Sequence, residues 1–307
     1  MAFTPHTMTQ AKNIAFIGLG VMGGPMAGHL AAAGHNVTAY NRSAPRAQAW
    51  LEVQQAEERD VQLAVTPANA ARDADIVFTC VGNDEDLAEV ALGEDGAIGA
   101  MRQGALFVDH TTVSANMARR IEQEAQACGL LAVDAPVSGG QAGAETGALA
   151  IMCGGTETAI KRATPVMDCY ASRIVHVGEA GAGQTAKMAN QLCIAGVLGG
   201  LSEAIRLAEA AGLDMEKTYE AISGGAAQSW QMNNRWKTMV ADEFDFGFAI
   251  DWMRKDLGYA LEEAERLGLE TPVSKLVDEL YAEIQAAGGG RQDTSALITR
   301  LPKGHSI

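Results

Sequence analysis

The stretch NIAFIGLGVMG, residues 13–23, joins a short apolar run directly to glycines in the spacing Gly-x-Gly-x-x-Gly. This spacing is typical of a dinucleotide-binding loop when it follows a strand and opens a helix, because free N–H groups at the helix start face the pyrophosphate. Gly18 permits the tight turn, Gly20 lets the backbone approach the pyrophosphate, and Gly23 lets the helix pack closely on the sheet. The predicted dinucleotide-binding loop is Gly18, Leu19, Gly20, Val21, Met22 and Gly23.

Short apolar runs alternate with helical patterns through the first half of the chain. The predicted strands are residues 13–17, 36–40, 76–80, 105–108, 130–133, 149–153 and 174–177. Helical patterns between them include residues 22–33, 115–128 and 157–170. Because the strands are apolar throughout rather than alternating, we expect a mostly parallel sheet that is buried on both faces.

The pattern changes after residue 178. The stretch GEAGAG, residues 178–183, predicts a hinge, and a helical pattern then continues from residue 184 to about residue 211. Everything beyond is helical in pattern, apart from the ambiguous FDFGF at residues 244–248. We therefore predict an α/β chain, with an N-terminal Rossmann-type doubly wound sheet in residues 1–178. An all-α C-terminal domain for substrate binding and oligomerisation follows in residues 179–307, joined by the long interdomain helix.

The formal net charge of −15 makes nucleic acid and anionic membranes poor partners, because both require a basic surface. A small anionic substrate remains compatible, since a few local cations suffice to bind it. No apolar run is long enough for a membrane span, and the first ten residues lack a basic stretch followed by an apolar one. We expect a cytoplasmic protein. Neither cysteines nor histidines have metal-ligand spacing, so no metal site is expected.

The end of the second predicted strand bears on the choice between NAD and NADP. An NAD-preferring site usually has an acidic residue here, on the ribose hydroxyls. This chain has Asn41, Arg42 and Ser43 instead. An arginine pairs with a 2′-phosphate, which a carboxylate would repel, so these cofactor-binding candidates favour NADP, with NAD possible. The alternative is that Arg42 is a solvated residue at a helix start and that both cofactors are accepted.

Four segments together resemble the β-hydroxyacid dehydrogenase family, and the resemblance extends from about Lys12 to Leu301. They are FIGLGVMGGPMA at residues 16–27, DAPVSGG at 134–140, GAGQTAKMANQ at 181–191 and KDL at 255–257. Members include 3-hydroxyisobutyrate dehydrogenases and reductases of tartronate and succinic semialdehydes. The resemblance implies an NAD(P)-dependent enzyme that interconverts a small 3-hydroxy acid and its semialdehyde.

The resemblance assigns the catalytic lysine to Lys187. The chemistry agrees, because reducing a semialdehyde requires a positioned acid, and a lysine is a good proton donor to a developing alkoxide. Asn190 and Gln191 share the helix face of Lys187 and are substrate-binding candidates. The family's carboxylate-binding loop corresponds to Ser138, Gly139 and Gly140.

Other candidates come from the resemblance alone. The cofactor contacts it implies are Val81, Gly82, Asn83, Thr112 and Lys255. Where many relatives have Leu-Pro, this chain has Val81-Gly82. Asp256 is expected to orient Lys255 or to contact substrate, the alternative being an ordinary ion pair inside the helical domain. Trp230 is expected either to line the substrate pocket or to be a core aromatic residue.

Several competing hypotheses remain. His110 follows Asp109 at a strand end, so a His–Asp proton relay could replace the lysine. An imine reductase-like enzyme and a non-catalytic NADP-binding module share the architecture, but their usual lack of the lysine counts against both. A decarboxylating enzyme of the 6-phosphogluconate type would require more basic residues. The stretch AGVLGG, residues 195–200, predicts close helix packing in a homodimer or homotetramer.

Overall fold

The structure is a computed structural model that describes residues 10–303. Residues 1–9, which belong to the segment where the sequence predicts no secretory signal, lie outside the described part, as do residues 304–307. The chain divides into two compact units between Lys187 and Met188. This division comes later along the chain than the boundary proposed after residue 178, which stays a prediction.

The strands of the first unit form one sheet. They are β1 (Asn13–Ile17), β2 (Asn36–Tyr40), β3 (Val61–Leu63), β4 (Ile76–Thr79), β5 (Leu106–Asp109), β6 (Leu131–Asp134), β7 (Val137–Ser138), β8 (Leu149–Gly155) and β9 (Ala171–Gly178). The order is β3-β2-β1-β4-β5-β6-β8-β7, with β9 beside β8. The first six strands are parallel, whereas β8 is antiparallel to β6 and β7. The chain order reverses between β1 and β4, which is where open α/β sheets bind ligands at the carboxyl ends of their strands.

Alternate residues of the central strands enter two apolar cores, one on each face of the sheet. In β1, Phe16 belongs to one core and Ile17 to the other. In β5, Val108 and Phe107 divide in the same way. Burial of both faces explains why these strands are apolar throughout, and it confirms the predicted doubly wound sheet.

Helices connect the strands and form the second unit. In the first unit they are α1 (Gly23–Ala32), α2 (Ala44–Ala56), α3 (Pro67–Ala71), α4 (Asp84–Leu92), α5 (Ala115–Ala127), α6 (Gly140–Thr146) and α7 (Glu157–Met167). The long helix α8 (Ala182–Ala210) begins in the first unit and continues into the second. The second unit adds α9 (Met215–Ile222), α10 (Trp230–Val240), α11 (Ile250–Arg266) and α12 (Pro272–Ile284). Short 3-10 segments (Ile98–Ala100, Thr294–Arg300) and a π-helical turn (Gln285–Gly289) complete the described elements.

The ambiguous stretch at residues 244–248 is not a strand. Its surroundings contain one isolated bridge, between Ala249 and Asp293. The Asp293 carboxylate is fully buried and pairs with Arg235 at 3.0 Å. It also accepts the Phe248 N–H at 2.9 Å. These polar contacts, rather than strand pairing, fix the loop.

Helix α8 departs from the expectation that no apolar stretch of this chain is long enough to span a membrane. By length and composition alone it could span a bilayer, with a mean hydropathy of 1.3 over its most apolar window. However, 44% of that window is buried inside the structure, and core helices of soluble proteins meet the same criterion. Buried polar residues such as Gln184 and Gln191 also lie along it. The exclusion of a membrane as partner stays a prediction.

Candidate active site

The three glycines of the first loop, Gly18, Gly20 and Gly23, differ in what an added side chain would meet. Gly18 has φ +100°, and a Cβ there would lie 2.2 Å from the carbonyl oxygen of Cys80. A Cβ at Gly23 would lie 2.0 Å from the carbonyl oxygen of Gly18. At Gly20, by contrast, a Cβ would meet no neighbouring atom of the described chain within 4 Å. The protein itself does not require glycine at this position, so the open space fits a ligand that approaches the backbone closely.

Asn41 connects this loop to the end of β2. Its Oδ1 accepts the Leu19 N–H at 2.9 Å, and its Nδ2 donates to the Ser43 carbonyl at 3.0 Å. Arg42 is solvent-exposed, with 74% of its side chain accessible, and pairs with Asp86 at 2.7 Å. Asn41 therefore holds the loop in shape, and its proposed contact with the cofactor stays a prediction.

The ends of β4 and β5 are joined by side chains. The Val81 N–H donates to Thr111 Oγ1 at 3.0 Å. Asn83 caps α4, and Asp84 accepts the Ser114 N–H at 2.8 Å. Thr112 lies half-buried in the loop between β5 and α5. The structure thus brings the segment Val81-Gly82-Asn83 beside the loop that carries Thr112, as the cofactor prediction requires.

His110 is buried in the core of the first unit, where both of its ring nitrogens form hydrogen bonds. Its Nδ1 donates to the Ala135 carbonyl at 2.6 Å, so its Nε2 accepts from the Tyr170 hydroxyl at 2.8 Å. The ring stacks on Phe78 at a centroid distance of 5.6 Å. Burial lowers the pKa of His110 to about 4, which keeps it neutral. Both ring nitrogens are engaged in the core, away from Asp109, which argues against the His–Asp relay.

Asp109 is buried at the end of β5. Its Oδ1 accepts from Thr79 Oγ1 at 2.7 Å and from the Thr111 N–H at 3.0 Å. Its Oδ2 has no hydrogen-bond partner among residues 10–303. Burial raises the pKa of Asp109 to about 7, although hydrogen bonds from Thr79 and Thr111 act in the opposite direction. Asp109 thus orders the turn toward Thr111.

The loop proposed for the substrate carboxylate joins β7 to α6. Ser138 is half-buried at the end of β7, and Gly139 and Gly140 are exposed. Both glycines have positive φ, +132° and +61°, which a larger residue would adopt only with strain. A Cβ at Gly140 would meet no atom of the described residues within 4 Å. The loop is accessible from solvent, and its anion-binding role stays a prediction.

Lys187 lies in the second turn of α8 and is buried, with 8% exposure. The first turn of α8 is held by Asp134 at the end of β6. The Asp134 carboxylate accepts the Gly181 N–H at 2.8 Å and the Gln184 N–H at 2.9 Å. Burial raises the pKa of Asp134 to about 6, although these N–H groups act in the opposite direction. Asp134 therefore caps the helix that carries the candidate acid.

The glycines before α8 allow close packing. A Cβ at Gly183 would lie 2.5 Å from the Met152 carbonyl oxygen, and one at Gly181 would lie 3.0 Å from that of Ala115. Packing therefore explains these glycines, and the hinge stays a prediction. Asp134 and Gln184, which lie around the start of α8, are not among the site residues predicted from the sequence. The available signal was their position, one at a strand end and the other one turn before Lys187.

A polar chain connects four predicted residues of the second unit. Asn190 Nδ2 donates to Gln191 Oε1 at 2.8 Å, and Gln191 Nε2 donates to Asp256 Oδ2 at 2.7 Å. Asp256 Oδ1 pairs with Lys255 Nζ at 3.1 Å. This ion pair fits both the predicted orientation of Lys255 and the alternative of an ordinary ion pair, so the roles of Lys255 and Asp256 stay predictions. The same carboxylate orients Gln191.

Trp230 begins α10 and is 53% exposed, so the alternative of a core aromatic residue is wrong. The guanidinium of Arg235 lies 5.0 Å from its ring centroid and 4.9 Å from that of Phe246. This cation–π contact orients the indole. Its role in a substrate pocket stays a prediction.

Comparisons with known proteins identify the family of this chain. Residues 13–178 match the family model of the NAD-binding domain of 6-phosphogluconate dehydrogenase. Residues 181–301 match the model described as NAD-binding of NADP-dependent 3-hydroxyisobutyrate dehydrogenase. An uncharacterised oxidoreductase of Shewanella frigidimarina is 54% identical over 95% of this chain and 99% of its own. The chain belongs to the β-hydroxyacid dehydrogenase family.

Two further relatives of this β-hydroxyacid dehydrogenase have more specific names. The 2-hydroxy-3-oxopropionate reductase of Escherichia coli is 36% identical over 94% of this chain and 96% of its own. The solved structure of Mycobacterium tuberculosis 3-hydroxyisobutyrate dehydrogenase with L-serine has a TM-score of 0.85 and 33% identity, over 95% of this chain and 99% of its own. The protein is thus an NAD(P)-dependent oxidoreductase that acts on CH–OH groups. The space at Gly20 fits its nicotinamide dinucleotide.

Proposed function

We propose that this enzyme interconverts a small 3-hydroxy acid and its semialdehyde, with NADP(H) preferred and Lys187 as general acid and base. The observation that most supports this proposal is that Lys187 is the only buried lysine among residues 10–303. Taking an ammonium group out of water costs several kcal/mol, so buried lysines are rare and a buried one is a candidate for a functional role. Helix α8, which carries Lys187, starts beside Asp134 at the carboxyl end of β6. This position favours a catalytic role for Lys187 over that of a surface lysine.

The proposed mechanism divides the work between hydride and proton transfer. When bound, the nicotinamide cofactor supplies hydride to the carbonyl carbon or accepts it from the alcohol carbon. Lys187 Nζ donates a proton to the oxygen as that carbon is reduced, and it takes the proton from the hydroxyl in the oxidative direction. Asp134 holds the helix carrying Lys187, through the Gly181 and Gln184 N–H groups.

The substrate is proposed to be a small anion of the class of 3-hydroxyisobutyrate or of glycerate and tartronate semialdehyde. The longer succinic semialdehyde, whose alcohol is a 4-hydroxy acid, is the remaining candidate. The names of the relatives support this class, and L-serine, named with one of them, is itself a 3-hydroxy acid. Ser138, Gly139 and Gly140 would hold the carboxylate, because successive exposed N–H groups form anion-binding concavities. Asn190 and Gln191 would contact the remainder of the substrate.

NADP is proposed as the preferred cofactor. The end of β2 carries Asn41 and Arg42 instead of an acidic residue, and the Arg42 guanidinium is accessible to a 2′-phosphate. Its ion pair with Asp86 competes with that phosphate. Since exposed ion pairs contribute only about 0–1 kcal/mol, the phosphate should displace Asp86.

We also propose a cytoplasmic homodimer or homotetramer. Four large apolar side chains of α8 and α12 are exposed and support an oligomer, because a subunit contact would cover such side chains: Val197, Leu207, Val273 and Leu276. The predicted close-packing stretch at residues 195–200 is partly used within the chain. A Cβ at Gly199 would lie 3.5 Å from Val277 of α12.

The proposal is tested by Lys187→Met with Lys161→Met as the matched control. Lys161 is an exposed lysine of the same unit, paired with Glu157. With a panel of small semialdehydes, Lys187→Met should lower kcat by a factor of about 10² to 10⁴, the usual worth of a positioned proton donor. The affinity for NADPH, measured by fluorescence titration, should stay within about threefold. The proposal fails if Lys187→Met retains most of the turnover.

Substrate binding provides a separate test. Ser138→Ala should raise KM for the semialdehyde more than it lowers kcat, because the hydroxyl holds the carboxylate in both ground and transition states. A fall in kcat with unchanged KM would move Ser138 from substrate binding to the chemical step.

A further inference from the structure

Gln184 is a fully buried glutamine in the first turn of α8. Its Nε2 donates to the Thr111 carbonyl at 2.7 Å, and its Oε1 accepts the Val113 N–H at 3.1 Å. These two backbone groups lie on either side of Thr112, which is one of the residues expected to contact the cofactor. One side-chain amide therefore holds both flanks of the loop between β5 and α5.

The backbone of Gln184 is fixed at the same time. Its N–H donates to Asp134 Oδ2 at 2.9 Å. Two glycines leave room for this carboxylate: a Cβ at Gly154 would lie 2.4 Å from Asp134 Oδ1, and one at Gly183 would lie 2.7 Å from Oδ2. The helix start therefore cannot shift easily relative to β6, while the Gln184 side chain connects it to the loop after β5.

Gln184 precedes Lys187 by three residues, which is about one helical turn and about 4.5 Å along the axis. Any rotation or sliding of this turn would therefore move Lys187 relative to the Thr112 loop. We propose that Gln184 is a positioning residue that sets Lys187 at the correct distance from the Thr112 loop. This inference rests on the proposed function, in which Lys187 transfers the proton.

A positioning role makes a different prediction from a purely structural one, in which the hydrogen bonds of the buried Gln184 amide only stabilise the fold. A buried glutamine elsewhere would contribute to stability alone, whereas a misplacement of about 1 Å near reacting groups can cost about 10²-fold in rate. The helix would still be held by Asp134 if the side chain of Gln184 were lost. Loss of the Gln184 amide should therefore let α8 shift relative to the Thr112 loop, while the protein stays folded.

Gln184→Glu provides the sharpest test, because the introduced carboxyl is similar in size. In its protonated form it donates to the Thr111 carbonyl and accepts the Val113 N–H, as the amide does. In its ionised form it cannot donate, and it faces a carbonyl oxygen. The kcat of this variant should approach that of the wild type at low pH and fall about 10- to 100-fold as the carboxyl ionises. Asp109 and Asp134, whose pKa values burial raises to about 7 and about 6, titrate near this loop in both proteins. The step is therefore the difference between the kcat profiles of the variant and the wild type, and a constant ratio of the two across pH would overturn the inference.

A second readout does not depend on turnover. In the cofactor-free protein, Gln184→Ala should speed amide hydrogen exchange at Val113, because its N–H loses its acceptor. Gln54→Ala is the matched control, since Gln54 is a buried glutamine of the same unit that bonds to Arg59. Gln54→Ala should lower stability while leaving Val113 exchange and kcat unchanged.

Isotope effects complete the test. With cofactor deuterated at the transferred position, Gln184→Ala should show a larger primary isotope effect on kcat than the wild type, and KM values should stay within about threefold. The inference is overturned if both Gln184 variants keep wild-type kcat at all pH values, or if Val113 exchange is unchanged. If Lys187→Met keeps its turnover, the proposed function fails instead, and the exchange experiment still reports on the Gln184 contact.

Discussion

Replacing Gly20 by alanine should weaken binding of the nicotinamide dinucleotide while leaving the fold intact. An added Cβ would meet no neighbouring atom of the described residues within 4 Å, so no overpacking is expected. Substitutions without such contacts usually change stability by less than about 0.5 kcal/mol, equivalent to about 2 °C or less in Tm. The methyl group would instead occupy the space that the pyrophosphate requires, and at least one hydrogen bond to a charged group would be lost.

The magnitude follows from that hydrogen bond. A hydrogen bond to a charged group contributes about 1.5–3 kcal/mol, so Kd for NADPH should rise about 10- to 150-fold. Gly23→Ala is the matched comparison in the same loop. Its Cβ would lie 2.0 Å from the Gly18 carbonyl oxygen, so the backbone must move. Overpacking of this kind costs about 1–3 kcal/mol, and Tm of the cofactor-free protein should fall by about 2–12 °C.

Both variants are measured by thermal unfolding without cofactor and by fluorescence titration with NADPH. The expected pattern is a normal Tm with weak binding for Gly20→Ala, and a lowered Tm for Gly23→Ala. Wild-type affinity in Gly20→Ala would refute the assignment of this space to the pyrophosphate. A loss of stability in Gly20→Ala as large as that in Gly23→Ala would refute the packing argument.

Three further predictions concern neighbouring groups. Asp86→Asn should lower KM for NADPH several-fold by freeing Arg42, and Arg42→Asp should raise it far more than KM for NADH; a wild-type preference for NADH of tenfold would contradict both. Burial raises the pKa of Asp109 from 3.8 to about 7, so between these pH values the folded protein keeps a proton that the unfolded chain has released. The free energy of unfolding therefore falls as pH rises from about 4 through 7. Between pH 4 and 8 the wild type should therefore lose on the order of 4 kcal/mol of unfolding free energy relative to Asp109→Asn in urea titrations, and a difference that does not vary with pH would contradict this. His110→Ala should cost about 3 kcal/mol by leaving the Tyr170 hydroxyl unpaired, yet the folded variant should keep kcat within about threefold; lost turnover would restore the relay.

Much of the first unit could be predicted from local pattern. The predicted strands at residues 13–17 and 36–40 coincide with β1 and β2. Both are apolar or β-branched runs next to turn residues, which leave few alternatives. The predicted start of the long helix, residue 184, lies two residues after the observed start of α8 at Ala182. The error arises because the two residues that precede the predicted start, Ala182 and Gly183, are small and show no helical periodicity.

Other elements carried no such signal. The edge strand β3 has three residues, none fully buried, and β7 has two. Segments this short show no recognisable period, so only pairing with β2 and β8 makes them strands. The stretch at residues 244–248 had the composition of a strand, yet the buried Asp293 carboxylate holds this loop by accepting the Phe248 N–H.

The dinucleotide loop and Lys187 could be recognised along the chain, because glycine spacing and a lysine within a helical pattern are properties of neighbouring residues. The partners of Gln184, Asn41 and His110 could not. Gln184 bonds to groups 71 and 73 residues away, and His110 to one 60 residues away. A hydrogen bond forms only when its atoms lie within about 3.2 Å, a condition that depends on strand order and register throughout the sheet. Only the packed core determines that order, and with it which distant side chains hold the candidate acid in position.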